Sequence, residues 1–236
     1  VCMIAKNEAH CIANAINSVL PIADEIIVVD TGSTDGTPAI VRDLVGRVYF
    51  SAWQDDFAHA RNVSLSLCTC DWVLWLDCDD IVPETSYMPI LQAMLAGNNN
   101  FHGALIKNIG VADIGLVKFE EFKQARLFPR KSGVVFEGRG HETFSIAALR
   151  EGLHPVESLD IVIEHHGYKD RFRLDEKRKR NIRLQLQQMG FPSKTDYYEF
   201  DYKGCFCLFA PSALVVWNVL DCIGVIDVIF NENEDK

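Results

Sequence analysis

The 236-residue sequence lacks several features that would place it in a broad class of protein. It has no excess of positive charge, since 23 lysines and arginines face 33 aspartates and glutamates and the formal net charge is −10 at pH 7. Binding nucleic acid through phosphate attraction needs the opposite balance, so we expect no nucleic-acid partner. No clear internal repeat or low-complexity linker is present, which leaves one large domain or one domain with an extension.

Long apolar runs are also missing. The most apolar region, residues 204–230, is interrupted by Pro211, Asn218, Asp221 and Asp227. No stretch of 18 or more apolar residues remains, so we expect no transmembrane segment.

The eight cysteines form no CxxC pair of the kind that binds zinc. Several lie inside apolar patterns, where a small reduced thiol packs well. No secretory signal peptide opens the sequence. We therefore expect a cytoplasmic protein, with the inner face of the membrane as an alternative location.

A cluster of acids follows one short apolar run. Residues 73–76 predict a strand buried on both faces, and Asp77, Asp79 and Asp80 come directly after it. Two like charges about 4 Å apart repel by roughly 4 kcal/mol at an effective dielectric near 20. A hard cation such as Mn²⁺ or Mg²⁺ would relieve this repulsion and brings phosphates with it. The alternative is a solvated acidic turn that caps the next helix.

Three strand–helix alternations with short loops precede and include this run, which predicts a parallel βαβ sheet. The second strand, residues 25–30, ends at Asp30, and a loop of small and hydroxyl residues follows at 31–37. Such a loop turns tightly and can approach a ligand. In the second half we predict strands at 103–109, 116–128 and 158–164, and then a basic helical segment at 171–189.

The sequence resembles family-2 glycosyltransferases. The matching stretches, in family order, are Cys2–Glu8, Glu25–Thr37, Trp53–Asn62, Asp71–Asp80, Arg126–Pro129, Phe136–Glu142, Glu164–Tyr168, and Lys177 with Arg180 and Asn181. They cover roughly residues 1–185. The sequence is similar to the branch of this family whose catalytic domain often leads into tetratricopeptide-like helices.

The resemblance implies an α/β GT-A fold, a Rossmann-like and mostly parallel sheet flanked by helices. The glycosyltransferase domain would span residues 1–168, with a nucleotide-sugar half at about 1–97 and an acceptor half at about 98–168. Residues 169–236 would form a helical C-terminal extension. The Cys-rich tail after about residue 195 does not follow the family.

The resemblance also implies a nucleotide-sugar donor, most commonly a UDP-sugar, and Mn²⁺ or Mg²⁺. The donor-binding residues would be Ala5, Lys6, Asn7, Glu8, Asp30, Gly32, Ser33, Asp35, Arg61, Asp77 and Cys78. The metal ligands would be Asp79, Asp80 and His166, with His165 pointing to the other side of its strand. Related enzymes divide these roles differently among the acids, so the division stays open.

The resemblance makes Glu142 the candidate base for the acceptor hydroxyl, next to His141. The alternative is a strand-end acid that balances Arg139. Arg61 could pair with the acids of the next strand, bind a pyrophosphate, or pair on its own helix surface. The basic stretch 177–180 is either a solvated helix face or a partner of the diphosphate.

The leading hypothesis is an inverting, metal-dependent glycosyltransferase whose acceptor is a glycan, lipid or peptide. The alternatives are a retaining enzyme with the same donor site and a catalytically silent nucleotide-sugar binder. A nucleotidyltransferase would need a Gly-rich phosphate loop after the first strand, and Lys6–Glu8 does not supply one.

Overall fold

The structure is a computed structural model. It describes residues 1–109, 121–140 and 142–167, the helical positions 177, 180, 181, 183, 184, 187 and 188, and the backbone of three strands between 198 and 218.

Strands and helices alternate in the first half, as predicted. The elements are β1 (Cys2–Ala5), α1 (Ile12–Val19), β2 (Ile27–Asp30), α2 (Thr37–Val45), β3 (Tyr49–Phe50), α3 (Phe57–Ser66), β4 (Trp72–Leu74), β5 (Asp80–Ile81) and α4 (Tyr87–Leu95). The second half contains β6 (Asn100–Asn108), β7 (Glu121–Pro129), α5 (Ser145–Arg150) and β8 (His154–His165).

The first three strands pair in parallel, in the order β1-β2-β3. A parallel bridge between Cys2 and Trp75 then connects β1 to the end of β4. Beyond it the sheet is mixed, with the order β4-β7-β6-β8-β5 and only β6 and β8 parallel. Parallel pairing needs a crossover, usually a helix, and the regular strand–helix alternation ends at α4.

Side-chain alternation along the buried strands builds a core on each face of the sheet. Met3, Val28 and Leu74 pack on one face with helices α1 and α4. Their neighbours Cys2, Val29 and Val73 pack on the other face. Successive side chains of a strand point to opposite faces, so an unbroken apolar run is needed where both faces are covered. The prediction of a strand buried on both faces is confirmed.

The C-terminal region differs from the predicted helical extension. The described positions between 177 and 188 are helical, but residues 198–218 form an antiparallel sheet of β9 (Tyr198–Tyr202), β10 (Cys205–Ala210) and β11 (Ala213–Asn218). Aromatic and β-branched residues are frequent in these segments and favour strands over helices.

Among the described residues, no helix is long and apolar enough to cross a membrane. The five cysteines whose side chains the structure describes, at 2, 11, 68, 70 and 78, are free thiols.

Candidate active site

A cavity of about 480 Å³ opens at the carboxyl ends of β1 and β4. Open α/β sheets bind ligands at this edge, and the volume suits a small ligand. Both halves of the chain line the cavity. The predicted residues that line it are Ala5, Lys6, Glu8, Arg61, Asp77, Cys78, Asp79 and Glu142.

Arg61 links the two halves of the site. This buried side chain on α3 donates to Asp77 Oδ1 at 2.6 Å and to Glu142 Oε1 at 2.5 Å. Burial opposes the charge of Arg61, but the two carboxylates outweigh that effect and raise its pKa. Arg61 therefore pairs across elements, and the alternative of pairing on its own helix surface is excluded.

A second buried guanidinium, that of Arg126 on β7, neutralises the same acids. It lies 3.0 Å from Asp80 Oδ2 and 3.4 Å from Asp77 Oδ2. The guanidinium carbons of Arg61 and Arg126 lie 4.1 and 3.7 Å from the ring centroid of Trp75, a cation–π arrangement. Burial would raise the pKa of Asp77, yet the two arginines hold it well below its ordinary value. Asp77 is thus a compensated anion.

Asp80 lies behind the cavity and orients a histidine. Asp80 is completely buried, and its Oδ2 accepts the backbone N–H of Asp77 at 2.9 Å. Its Oδ1 lies 2.8 Å from Nδ1 of His165, its direct partner in the β5–β8 ladder. Burial opposes the charge of His165, but the hydrogen bond with Asp80 and the charge of Asp79 raise its pKa.

Asp79 faces the cavity, and it is the acid of the cluster that pairs with no arginine among the described residues. Its Oδ2 accepts from Lys177 Nζ at 2.8 Å, and its Oδ1 lies 3.6 Å from His165 Nδ1. Asp77, Asp79, Asp80 and His165 each place one ligand atom within 4.8 Å of the others. The four groups therefore form a potential metal-binding cluster.

The histidine at the cluster is His165 rather than the predicted His166. Nε2 of His166 lies 3.5 Å from Glu164 Oε2, and its backbone N–H donates to the carbonyl of Asp79 at 2.8 Å. Neighbouring residues of a strand point to opposite faces, so only one of the two can reach the acids. Pairing of β8 with β5 selects His165.

Glu142 reaches the cavity because its loop is fixed on α3. The Asn62 side chain forms two hydrogen bonds with the backbone of Phe136, at 2.9 and 2.7 Å, and Phe57 N–H donates to the carbonyl of Arg139 at 2.9 Å. The partner of Glu142 is Arg61, and Arg139 instead donates to the carbonyl of Asp55. The predicted neighbour His141 lies outside the described residues.

Asp30 serves the loop after β2 and does not line the cavity. It is buried, and its Oδ1 accepts the N–H groups of Gly32 and Ser33, both at 2.9 Å. Its Oδ2 is buried without a hydrogen-bond partner among the described residues. Substitution of Asp30 would leave loop donors unpaired, so any effect on donor binding would be mixed with a structural one.

The other predicted loop residues hold two loops together. Asn7 has a left-handed backbone with φ of 59°, a conformation that asparagine tolerates. It donates to Ser33 Oγ at 2.8 Å, and its side chain accepts from the N–H of Thr34. Asp35 accepts the N–H of Ala9 at 3.1 Å. The loops after β1 and β2 therefore form one hydrogen-bonded unit beside the cavity, and Lys6 and Glu8 line the cavity from it.

Gly167 packs against Asp79 and His165 of this potential metal-binding cluster, and we predict that Gly167→Ala disrupts it. A Cβ at this position would overlap Asp79 Oδ2 and His165 Nε2. We expect overpacking to cost about 1–3 kcal/mol in the free energy of unfolding, measured by urea denaturation, and Mn²⁺ affinity to fall. Gly103→Ala is the control, because the nearest atom to its Cβ would be 3.8 Å away. Equal Mn²⁺ affinity in the two variants would contradict this account.

The sequence patterns do not predict that Trp75, Lys177 and Arg126 belong to one electrostatic cluster. The sequence does contain a signal for these residues. Arg126 and Lys177 occur in stretches shared with the family, and Trp75 lies in the stretch that contains the acidic cluster. Their roles depend on which strands pair, which the sequence alone does not show.

The sequence profile described as "Glycosyl transferase family 2" matches residues 1–154. This match covers more than half of the chain. The chain therefore belongs to glycosyl transferase family 2.

Curated relatives support this placement. A tetratricopeptide-repeat-containing protein of Synechococcus elongatus is 42% identical over 80 residues, which are 34% of this chain and 20% of that protein. An uncharacterized glycosyltransferase of Rickettsia felis is 46% identical over 78 residues, 33% of this chain and 27% of that protein. The aligned region is thus about a quarter or less of each relative's length.

The fold is similar to that of solved glycosyltransferases. Glucosyl-3-phosphoglycerate synthase from Mycobacterium tuberculosis, solved with Mn²⁺ and UDP-glucose, matches with a TM-score of 0.53 and 18% identity, covering 94% of this chain and 89% of that one. TarS of S. aureus matches with a TM-score of 0.55 and 17% identity, covering 70% of this chain and 36% of that one. The predicted α/β GT-A fold is confirmed.

Proposed function

We propose that this chain transfers a sugar from a nucleotide diphosphate sugar to an acceptor hydroxyl, with Mn²⁺ or Mg²⁺ as cofactor. The observation that carries this proposal is the cluster of Asp79 and His165 at the cavity with two acids, Asp77 and Asp80, whose charges are compensated by arginines. Family membership supplies the reaction class. The mycobacterial synthase, which was solved with UDP-glucose and Mn²⁺, supports a UDP-sugar as the donor.

The donor set suits a divalent cation. Carboxylate oxygens suit Mg²⁺ and Mn²⁺, and imidazole ligands bind transition metals. We propose Asp79 and His165 Nε2 as protein ligands. Metal-binding histidines commonly donate their second ring N–H to a carboxylate, and Asp80 lies 2.8 Å from His165 Nδ1. Asp80 is then an orienting group, which changes the role that the sequence predicted for it.

A bound divalent cation would act as a Lewis acid that offsets the charge of the departing diphosphate. The chain's own residues fix the rest of the site. Arg61 and Arg126 compensate Asp77 and Asp80, so these acids do not repel an anionic donor. Lys6 and Cys78 line the donor side, and the thiol of Cys78 is held by a hydrogen bond to the carbonyl of Ile4 at 3.2 Å.

We propose Glu142 as the general base of an inverting displacement. Its carboxylate takes the proton of the acceptor hydroxyl as the oxygen attacks the anomeric carbon and the bond to the diphosphate breaks. Arg61 holds Oε1 of Glu142, which fixes the carboxylate beside the donor site. Residues 1–97 then supply most of the nucleotide-sugar half, and residues 98–168 supply the base and the histidine.

Thermal-shift measurements with a panel of nucleotide sugars, in the presence and absence of Mn²⁺, test this proposal. A ligand that binds only the folded protein raises apparent stability by RT ln(1 + [L]/Kd), about 2.7 kcal/mol at 100 times Kd. We expect a UDP-sugar to raise the melting temperature in the presence of Mn²⁺ and to do so less without it. The absence of a shift from every nucleotide sugar with Mn²⁺ would contradict the proposal.

A further inference from the structure

The basic side chains that line the cavity differ in their pairing among the described residues, and the exposed Lys6 forms no ion pair there. Arg61 and Arg126 each pair with two carboxylates, Lys177 pairs with Asp79, and Arg183 lies 3.6 Å from Asp55. Arg180 also lines the cavity, yet it forms no ion pair with any residue that the structure describes. Its position between Lys177 and Arg183 adds further positive charge nearby.

The guanidinium of Arg180, which pairs with no described carboxylate, is not freely solvated. The side chain is partly buried, and its Nε is fully buried without a hydrogen-bond partner in the described part of the chain. Burial lowers the pKa of Arg180, against the opposite effects of the more distant Glu8 and Glu142. Withdrawing a guanidinium from water without a partner costs free energy, so a solvated helix face does not explain this arrangement.

The position of Arg180 is fixed by packing. Its guanidinium carbon lies 4.8 Å from the centroid of the Phe57 ring, and that ring packs edge-on against Trp53 at 4.8 Å between centroids. Phe57 and Trp53 line the same cavity. A stacked guanidinium keeps its planar fork of N–H donors ordered, which suits two oxygens of one anion.

We propose that Arg180 binds the diphosphate of the nucleotide-sugar donor and that this anion completes its charge pairing. This inference rests on the proposed function, because the anion is the donor's own diphosphate. A diphosphate matches Arg180 chemically, since it offers several charged oxygens to one guanidinium. Lys177 differs from Arg180, because it already has Asp79 as its anion.

The experiment compares Arg180→Met with Arg183→Met by calorimetric titration of UDP and of uridine in the presence of Mn²⁺. Methionine keeps an apolar contact with Phe57 while removing the charge. Arg183→Met is the matched control, since Arg183 lines the same cavity but is half exposed and lies near Asp55. Hydrogen bonds to charged groups are worth about 1.5–3 kcal/mol, so we expect Arg180→Met to weaken UDP binding by about 10- to 100-fold.

Uridine separates diphosphate binding from a structural role. We expect its affinity to stay within about threefold in Arg180→Met, because uridine lacks phosphates. The variant should melt no lower than the wild type in ligand-free buffer, since it loses a half-buried charge that no described residue pairs. Inorganic pyrophosphate should raise the melting temperature of the wild type and not that of the variant.

Three results would overturn the inference. Equal losses of UDP and uridine affinity would mean that Arg180 shapes the site without binding the diphosphate. UDP affinity unchanged in Arg180→Met, with a wild type that binds UDP-sugars, would remove Arg180 from the donor site and leave the proposed function standing. A wild type that binds neither UDP nor any UDP-sugar would overturn both.

Discussion

Asp79→Asn is expected to lower Mn²⁺ affinity by about 100-fold or more and to reduce sugar transfer by at least as much. Loss of an outer-shell partner of a metal ligand typically costs 10- to 100-fold, so loss of a charged ligand should cost no less. Asp77 and Asp80 pair with buried arginines, whereas Asp79 pairs with Lys177, whose side chain is one third exposed. Calorimetric titration with Mn²⁺ in the presence of UDP measures the first effect.

Asp71→Asn is the matched control for this substitution. Asp71 directly precedes β4, the strand that leads to the acidic cluster, and its side chain is exposed. The same chemical change there should leave Mn²⁺ affinity and transfer within about twofold. If Asp79→Asn bound Mn²⁺ as tightly as Asp71→Asn, the proposed metal ligand would be wrong.

Glu142→Gln is expected to reduce transfer by about 10²- to 10⁴-fold while donor affinity stays within about threefold. General base catalysis is typically worth that factor, or about 3–5 kcal/mol of barrier. Glutamine keeps the volume of the side chain and can still accept from Arg61, so the geometry of the site should persist. Steady-state transfer rates and calorimetric donor affinities give the two quantities.

Glu137→Gln is the control for Glu142. Glu137 lies in the same region of the chain but pairs with the exposed Arg150 at 2.6 Å, away from the cavity. Transfer by this variant should match the wild type. A parallel fall of donor affinity and rate in Glu142→Gln would show instead that Glu142 acts by positioning Arg61 on Asp77. Retention of transfer within about threefold would make Glu142 a structural acid.

Local chemistry predicts most of the first half of the fold. Apolar runs that end in acids predict β2 and β4, and Asp56 caps α3 locally by accepting the N–H of His59. These features depend on residues close together in sequence. Their effects are therefore visible without the tertiary structure.

The cluster of Asp77, Asp79, Asp80 and His165 depends on strand register, which local chemistry does not determine. The sequence shows that His165 and His166 point to opposite faces, but the pairing of Asp80 with His165 decides which one meets the acids. In the same way, Arg126 reaches Asp80 because Leu127 on β7 pairs with Leu74 on β4. A shift by one residue would move each side chain to the other face of the sheet.

The sequence alone also does not show which polar residues of the loops after β1 and β2 hold those loops together. Asp30 and Ser33 resemble ligand-binding residues in sequence, because acids and hydroxyls at strand ends commonly bind ligands. In the structure they hold the loops after β1 and β2 through hydrogen bonds. Polar residues of such loops can satisfy either the ligand or the backbone, and their sequence is the same in both cases.

Metal-dependent sugar transfer can be tested by measuring the release of UDP from UDP-sugars under three conditions. These are with Mn²⁺ present, after removal of metal with EDTA, and after Mn²⁺ is restored. We expect UDP release with Mn²⁺, loss of nearly all activity in EDTA, and recovery when Mn²⁺ is added back. Full activity in metal-free buffer would contradict the assignment of Asp79 and His165 as metal ligands. Absence of UDP release from every UDP-sugar under all three conditions would contradict the proposed donor.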